Sequence, residues 1–382
     1  MAQQSQNFAP LLFDPLLDFS EYQRRLSRLK GFFKEPSQGE GAYFLIEAKD
    51  PERVKKYPRP VSPRTLVERW LSAPLRAREA LWECQTTYPA GDCLPRAYVE
   101  FGAAYLPALL GAPYRLDADT IWFDHFPPII DLKNYPPLKL HRDWLFYRAV
   151  TETTRELASI SKDRFLVGIG FIGSNLDVFL SLMERERALM ELIKNPELVL
   201  NLLENITELS LEFFRDLLDL IEHSGGEHSF ATPLAFKGPG GKLLSDSSKM
   251  LSLESFKDFI LPSLISEANF MGEAFYGLDA AAHLLPAILE IPEIKAIEWH
   301  PPTLVEASSG EGIRDFFTKE SLNVCHQIQE SKRKLILTGL SPVDAEKILS
   351  VLKPDGLMLS IYAKDPSEAD SLWKLFRKFT SV

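Results

Sequence analysis

The stretch EAFYGLDAAAHLLPAILEIPEIKAIEWHPP, residues 273–302, reads as one strand–helix–strand unit. EAFYGLD is a short aromatic run ending on Asp279, and AAAHLLPAILEI repeats apolar residues at helical spacing. IKAIEWH is a second strand, closing on Glu298, Trp299 and His300 before Pro301 and Pro302 stop it. A helix between two strands returns the chain to the same end of the sheet, so the strands run parallel. Parallel sheets place their ligands at the strand C-termini. Polar residues at both strand exits are therefore the pattern of a site.

The same grammar extends outward. KLILTGL leads into SPVDAEKILSVL, and GLMLSIYAK into DPSEADSLWKLFRKF, where Asp365 and Glu368 have capping-box spacing. Upstream, AYFLIEA (42–48), DCLPRAYVEFG (92–102, interrupted by Pro95) and RFLVGIGFIGSN (164–175) read as strands. Helices are predicted over 14–33, 64–84, 142–160 and from Pro196, with Asn195 as its N-cap. EHSFATPLAF and KLLSDSSKML are separated by a GPGG turn. About eight βα units can be counted, which predicts the α/β class and a single closed (β/α)8 TIM-type barrel. The predicted organisation is an N-terminal helical extension over 1–40 and a barrel over 41–382. An inserted excursion near 103–140 carries Trp122, Asp124 and His125.

Of the 382 residues, 45% are hydrophobic and 25% charged, the composition of a soluble globular protein. The net charge of −10 argues against nucleic-acid binding, and no window is long and apolar enough to span a membrane. The start, MAQQSQNFAPLLFDP, lacks the pattern of a signal peptide, so a cytoplasmic location is expected. Cys84, Cys93 and Cys325 are scattered, without a CxxC pair, against both a disulfide framework and a cysteine-rich zinc site. The basic loop with Lys49, Arg53, Lys55, Lys56, Arg59 and Arg64 reads first as a solvated surface, with an anion grip as the alternative. No GxGxxG or P-loop stands in the right context, and no GxSxG elbow supports nucleophilic catalysis.

The strand exits carry Glu47, Asn175, Asp177, His228, Asp246, Asp279, Glu298, Trp299, His300, Ser360 and Tyr362, and Trp122 and His125 are placed over the mouth. This inventory is acidic and aromatic. Asp246, Asp279, Glu298 and His300 are the candidate catalytic groups, since successive carboxylates and a histidine suit proton transfer. Trp122, Asn175, Asp177, His228, Trp299 and Tyr362 are candidate substrate contacts, and no metal set is assigned. Each has a plainer role open to it. Asp246 would cap the helix near Ser252 and Asp279 the helix 280–290; Trp299 would be core and His300 structural. His223, His283, His326 and Cys325 lie on helix faces and read as structural.

The blocks VGIGFIGSNLD, SDSSKMLSLESFKDFILPSL, YGLDAAAHLLPAILEIPEIKAIEW and GLMLSIYAKDPSEAD resemble, in this order, the uroporphyrinogen decarboxylase superfamily. The resemblance covers roughly residues 65–375 and is strongest to a divergent bacterial branch similar to the corrinoid-dependent methyltransferases. It implies a (β/α)8 barrel with a cleft at the strand C-termini. It further implies methyl transfer between a small methylated substrate and a corrinoid protein, or decarboxylation of a pyrrolic or aromatic acid, including uroporphyrinogen-type substrates. A barrel that has lost catalysis and serves as a binding or accessory protein is the third reading, and a homodimer is a family habit. The chain departs from the family at the zinc ligands. Gly277 stands where a histidine is expected, two residues before Asp279, and Tyr362–Ala363 follow where a cysteine is common. The acidic exits also make a polycarboxylate substrate electrostatically unfavourable.

Overall fold

The computed structural model describes residues 10–34, 39–102, 105–123, 128–129, 131–230, 232–236, 238–305 and 312–380. Asp124 and His125 lie outside the described residues. The strands, in chain order, are β1 (Tyr43–Lys49), β2 (Thr87–Gly91), β3 (Arg96–Val99), β4 (Arg115–Leu116), β5 (Ile121–Trp122), β6 (Leu166–Ile169) and β7 (His228–Phe230). They continue as β8 (Gly240–Leu244), β9 (Glu273–Asp279), β10 (Ile294–His300), β11 (Thr303–Val305), β12 (Gly312–Arg314), β13 (Lys334–Leu340) and β14 (Leu357–Ala363).

The main sheet has the order β2-β1-β14-β13-β10-β9-β8, and only β2 in it runs antiparallel. A second, parallel sheet has the order β3-β6-β7. The fold is thus α/β with a mostly parallel sheet, but the expected closed barrel is corrected: the ladder is interrupted twice. At the first gap β2 pairs along the edge of β1, so among the described residues β3 finds no partner there. At the second, the chain after β7 folds back to bridge His228 with Phe236, taking the edge that β8 would need.

The opening unit is realised as β9 and β10, paired in parallel with His300 beside Asp279. The helix between them is shorter than predicted, a 3-10 turn at Ala282–Leu284 followed by Leu285–Leu289. Pro286 removes an amide and suits only a first helical turn, so the helix proper starts there. The predicted helix 64–84 breaks at Ser72 into α3 (Leu66–Leu71) and α4 (Ala73–Gln85), and a short α2 (Pro51–Lys56) stands in the basic loop. The GPGG glycines extend into β8, because a Cβ on Gly240 or Gly241 would lie 2.4 Å from the rings of Phe236 or Phe230. Asn195 precedes its helix but makes no cap hydrogen bond and donates instead to Glu191.

Side chains alternate between two cores, as the pleat requires. One face packs under the helices through Phe44, Val167, Tyr276, Ile297 and Leu337. The other gathers Leu45, Leu166, Phe236, Phe275, Ala296, Ile336 and Met358 from both sheets into a second cluster. The N-terminal helix α1 (Phe19–Gly31) seals this second cluster with Tyr22, Leu26 and Leu29, followed by Phe32 and Phe33. It is held by ion pairing of Arg28 with Asp92 at 2.7 Å and by Arg25 donating to the carbonyls of Pro89 and Cys93. One end of the strands is therefore plugged with apolar rings, and polar side chains are left to the other.

Candidate functional site

On β10 the same face carries Ala296, Glu298 and His300 in succession, from the apolar plug to the C-terminal end. Glu298 is buried, and Lys242 reaches it from β8 at 2.7 Å. Between them lies β9, and Lys242 crosses it over Gly277, where an added Cβ would stand 2.5 Å from the Lys242 Cε. The glycine is thus required by the close approach of a neighbouring side chain. The other Glu298 oxygen accepts from Thr338 Oγ1 of β13 at 2.8 Å and lies 2.9 Å from His300 Nε2. Thr338 is also 3.2 Å from that nitrogen. Burial pushes the Glu298 carboxyl up, but Lys242 and His300 overcome it and hold the group well below its ordinary value. His300 Nδ1 faces Asp279 at 4.0 Å, and Lys249 approaches the other Asp279 oxygen at 3.9 Å.

Asp246 follows β8 and is exposed, although its carboxyl stands among strand ends. Partial burial first, then the negative charges of Asp177 and Asp279, raise its pKa. The structure thus gathers Glu298, His300 and Asp279 directly, with Asp246 alongside. Asp177 binds the chain rather than facing the cleft: it accepts from Ser174 Oγ and from the amides of Asp246 and Ser247 at 3.1 and 2.9 Å. It therefore fixes the turn that presents Asp246. Asn175 is buried at the start of the helix Asn175–Leu182, which also carries Asp177, and its Nδ2 is unpartnered.

Other candidates stand apart. Trp299 lies on the opposite face of β10, buried under the helices, and donates from Nε1 to Ser321 at 2.8 Å. His228 is buried between Phe214 and Phe236 with Nε2 on the Gly240 carbonyl, and burial pulls its pKa down to about 4. Trp122 is exposed on the β4–β5 hairpin and donates to Asp117 of the same hairpin. Trp299 and His228 are enclosed by packing, and Trp122 is held by its own hairpin.

On the side of β1, β3 and β14, the strand ends open into a cavity of about 660 Å³, bordered by Glu47 and by the exposed Tyr362. Its wall also carries Arg59, Arg69, Arg76 and Arg96. This corrects the acidic inventory read from the strand exits alone. Arg69 and Arg76 come from α3 and α4, and Arg59 from the loop before them, so only folding brings them to the mouth. Sequence reading also missed Lys242, although Gly277 within a strand was a usable signal.

The zinc site implied by the family resemblance does not fit these residues. Among the described residues no three His, Cys, Asp or Glu side chains are grouped to hold a metal. All three cysteines are buried, and burial raises their thiols, that of Cys325 to about 12. At Gly277 the space is filled by Lys242, whose ammonium already neutralises Glu298. No helix among the described residues is long and apolar enough to cross a membrane.

No protein-family model matches the chain, and no curated protein matches it. Among solved structures, a methyltransferase from Methanosarcina mazei superposes with a TM-score of 0.56 at 14% identity, covering 94% of this chain and 98% of that one. The likeness is one of fold, carried over nearly the whole of both chains.

Proposed function

We propose that the chain is an enzyme of methyl transfer whose proton chemistry is carried by His300, held by Glu298, Lys242 and Thr338 at the ends of β8, β10 and β13. The observation that carries this is the 2.9 Å contact of His300 with a buried carboxylate that a lysine keeps anionic. An imidazole so placed accepts and returns a proton while the carboxylate fixes its orientation. The fold-level likeness to a methyltransferase supports the same class.

The substrate is a small molecule with a methyl group on a heteroatom, bound at the strand ends. When the carbon–heteroatom bond breaks, its electron pair stays on the heteroatom, which takes the proton from His300. The methyl group passes to an acceptor. A corrinoid carried by a partner protein supplies that acceptor, and the exposed Tyr362 and Asp246 leave the mouth accessible to it. Asp279 stands beside Nδ1 to orient the reacting group. Replacing His300 with Gln and following the visible absorbance of reduced cob(I)alamin, whose cobalt supplies the electron pair for the new methyl bond, with methylated amines, ethers and thioethers as donors tests the reading. Turnover by the wild type, reduced at least a hundredfold in the variant, is expected. No spectral change with any substrate class, or an H300Q variant as fast as wild type, sinks it.

A further inference from the structure

We infer that the cavity at the ends of β1, β3 and β14 is an anion site that takes a carboxylate or phosphate group on the arginines Arg59, Arg69 and Arg96. The inference deepens the reading above by naming the substrate class, and it rests on that reading only for what the bound group then does.

Charge pairing within the cavity wall leaves these three arginines over. Lys49 is matched by Glu83 at 2.7 Å and Arg76 by Glu79 at 3.0 Å. Among the described residues Arg59, Arg69 and Arg96 have neither an ion-pair partner nor a side-chain hydrogen bond, and the buried Arg69 Nε is unsatisfied. Each guanidinium instead lies against a ring: Arg59 on Trp82 at 5.4 Å, Arg69 on Trp70 at 5.9 Å and Arg96 on Tyr98 at 5.0 Å. Stacking occupies the face of a guanidinium and leaves its in-plane N–H donors for a forked acceptor. Two acidic residues remain on the wall, Glu47 and Glu100. Glu100 is closed in, with Oε1 buried and unpartnered, and burial raises its carboxyl against the pull of Tyr98 and Arg76. Three free cations thus face at most two carboxylates.

The arginine wall and His300 are separated by the positions of β14 and β13 in the sheet. Three inter-strand steps of about 4.8 Å put β1, which borders the cavity, about 14 Å from the strand of His300 along it. A ligand touching both is elongated, with the anion at one end and the methylated group at the other. A small anion needs only the arginine end, which makes it a fair probe.

The experiment is calorimetric titration of the whole chain at low ionic strength with sodium benzoate, inorganic phosphate and the neutral benzamide. Saturable binding of benzoate or phosphate, with benzamide inert, is expected, and the stronger of the two anions assigns the group. Arg69→Met and Arg96→Met should each weaken that anion at least tenfold. As a measure that needs no variant, the bound anion should protect Arg69 and Arg96 of the wild type from phenylglyoxal, read by mass spectrometry. Absence of binding by both anions, equal binding of benzamide, or unprotected arginines overturns the inference. Because binding is read without turnover, a chain that binds benzoate but transfers no methyl group sinks the earlier reading and leaves this one standing.

Discussion

Lys242 Nζ and Glu298 Oε2 meet at 2.7 Å from strands that are not neighbours, with β9 between them. The contact exists because Gly277 offers no side chain at the crossing. Three consecutive strands are thereby tied at the level where the apolar plug gives way to the polar mouth, and the acid–base pair above inherits its geometry from that tie.

Gly277→Ala places a methyl group against a buried lysine stem. Alanine ordinarily improves on glycine within a strand. Here overpacking outweighs that gain, and a loss of about 1–3 kcal/mol is expected from urea unfolding. In a Lys242→Met background the same substitution should cost clearly less, since the thioether end can give way. Equal costs in the two backgrounds would refute the crossing.

Lys242→Met strands a buried carboxylate, for which about 3–5 kcal/mol of destabilisation is expected at neutral pH. The Glu298 carboxyl is held below its ordinary value in the folded chain, so the wild-type pair contributes fully above about pH 4.3 and is lost as the pH falls through the folded value. The variant should therefore come closest to the wild type in acid. Adding Glu298→Gln should restore most of the stability at pH 7, because the unpaired charge is gone. Urea titrations of the wild type and the two variants at pH 4 and pH 7 check both statements.

β9 and β10 were legible because aromatic and aliphatic runs end abruptly on Asp279 and on His300 before two prolines. The break in the ladder was not legible. Whether β3 or β2 takes the edge of β1 depends on the antiparallel pairing of Thr87–Gly91, a segment that short-range pattern does not distinguish from a loop. Trp299 shows the limit of reading strand exits as a list. Its neighbours Glu298 and His300 face the mouth, so the pleat sends it to the helix side, where it meets Ser321. Lys242 and the arginines were missed for a related reason. A cation reads as surface until tertiary contacts show which carboxylate, or which cavity, it faces.

His228 is neutral and enclosed, with its pKa drawn down to about 4 by burial. An unfolded histidine takes a proton near pH 6.5, so between there and pH 4 the unfolded chain binds more protons and stability falls as the pH drops. The effect amounts to at most about 3 kcal/mol at the acid end of this window. His228→Gln should flatten the slope over that range, and NMR of the imidazole in the wild type should show no protonation at pH 5.5. A titrating imidazole with a midpoint above 6 would place it in solvent.

Glu267, on the helix Leu261–Met271, is the mirror case. Its carboxyl borders a void of about 20 Å³ beside Ser174, Ser210 and Met271, and burial raises its pKa to about 7. The unfolded carboxyl ionises near pH 4.3, so from there to pH 7 the folded chain holds the extra proton and stability declines as the pH rises. Part of the side chain still touches solvent, which reduces the expected effect to about 1–2 kcal/mol. Glu267→Gln keeps the shape and removes the ionisation. The variant should match the wild type at pH 4.5 and exceed it in melting temperature at pH 8. His300 is untouched by the change, so methyl transfer at pH 7 should proceed at the wild-type rate. An equal difference in melting temperature at both pH values would mean that the carboxyl is already ionised in the folded chain and that the void is wet.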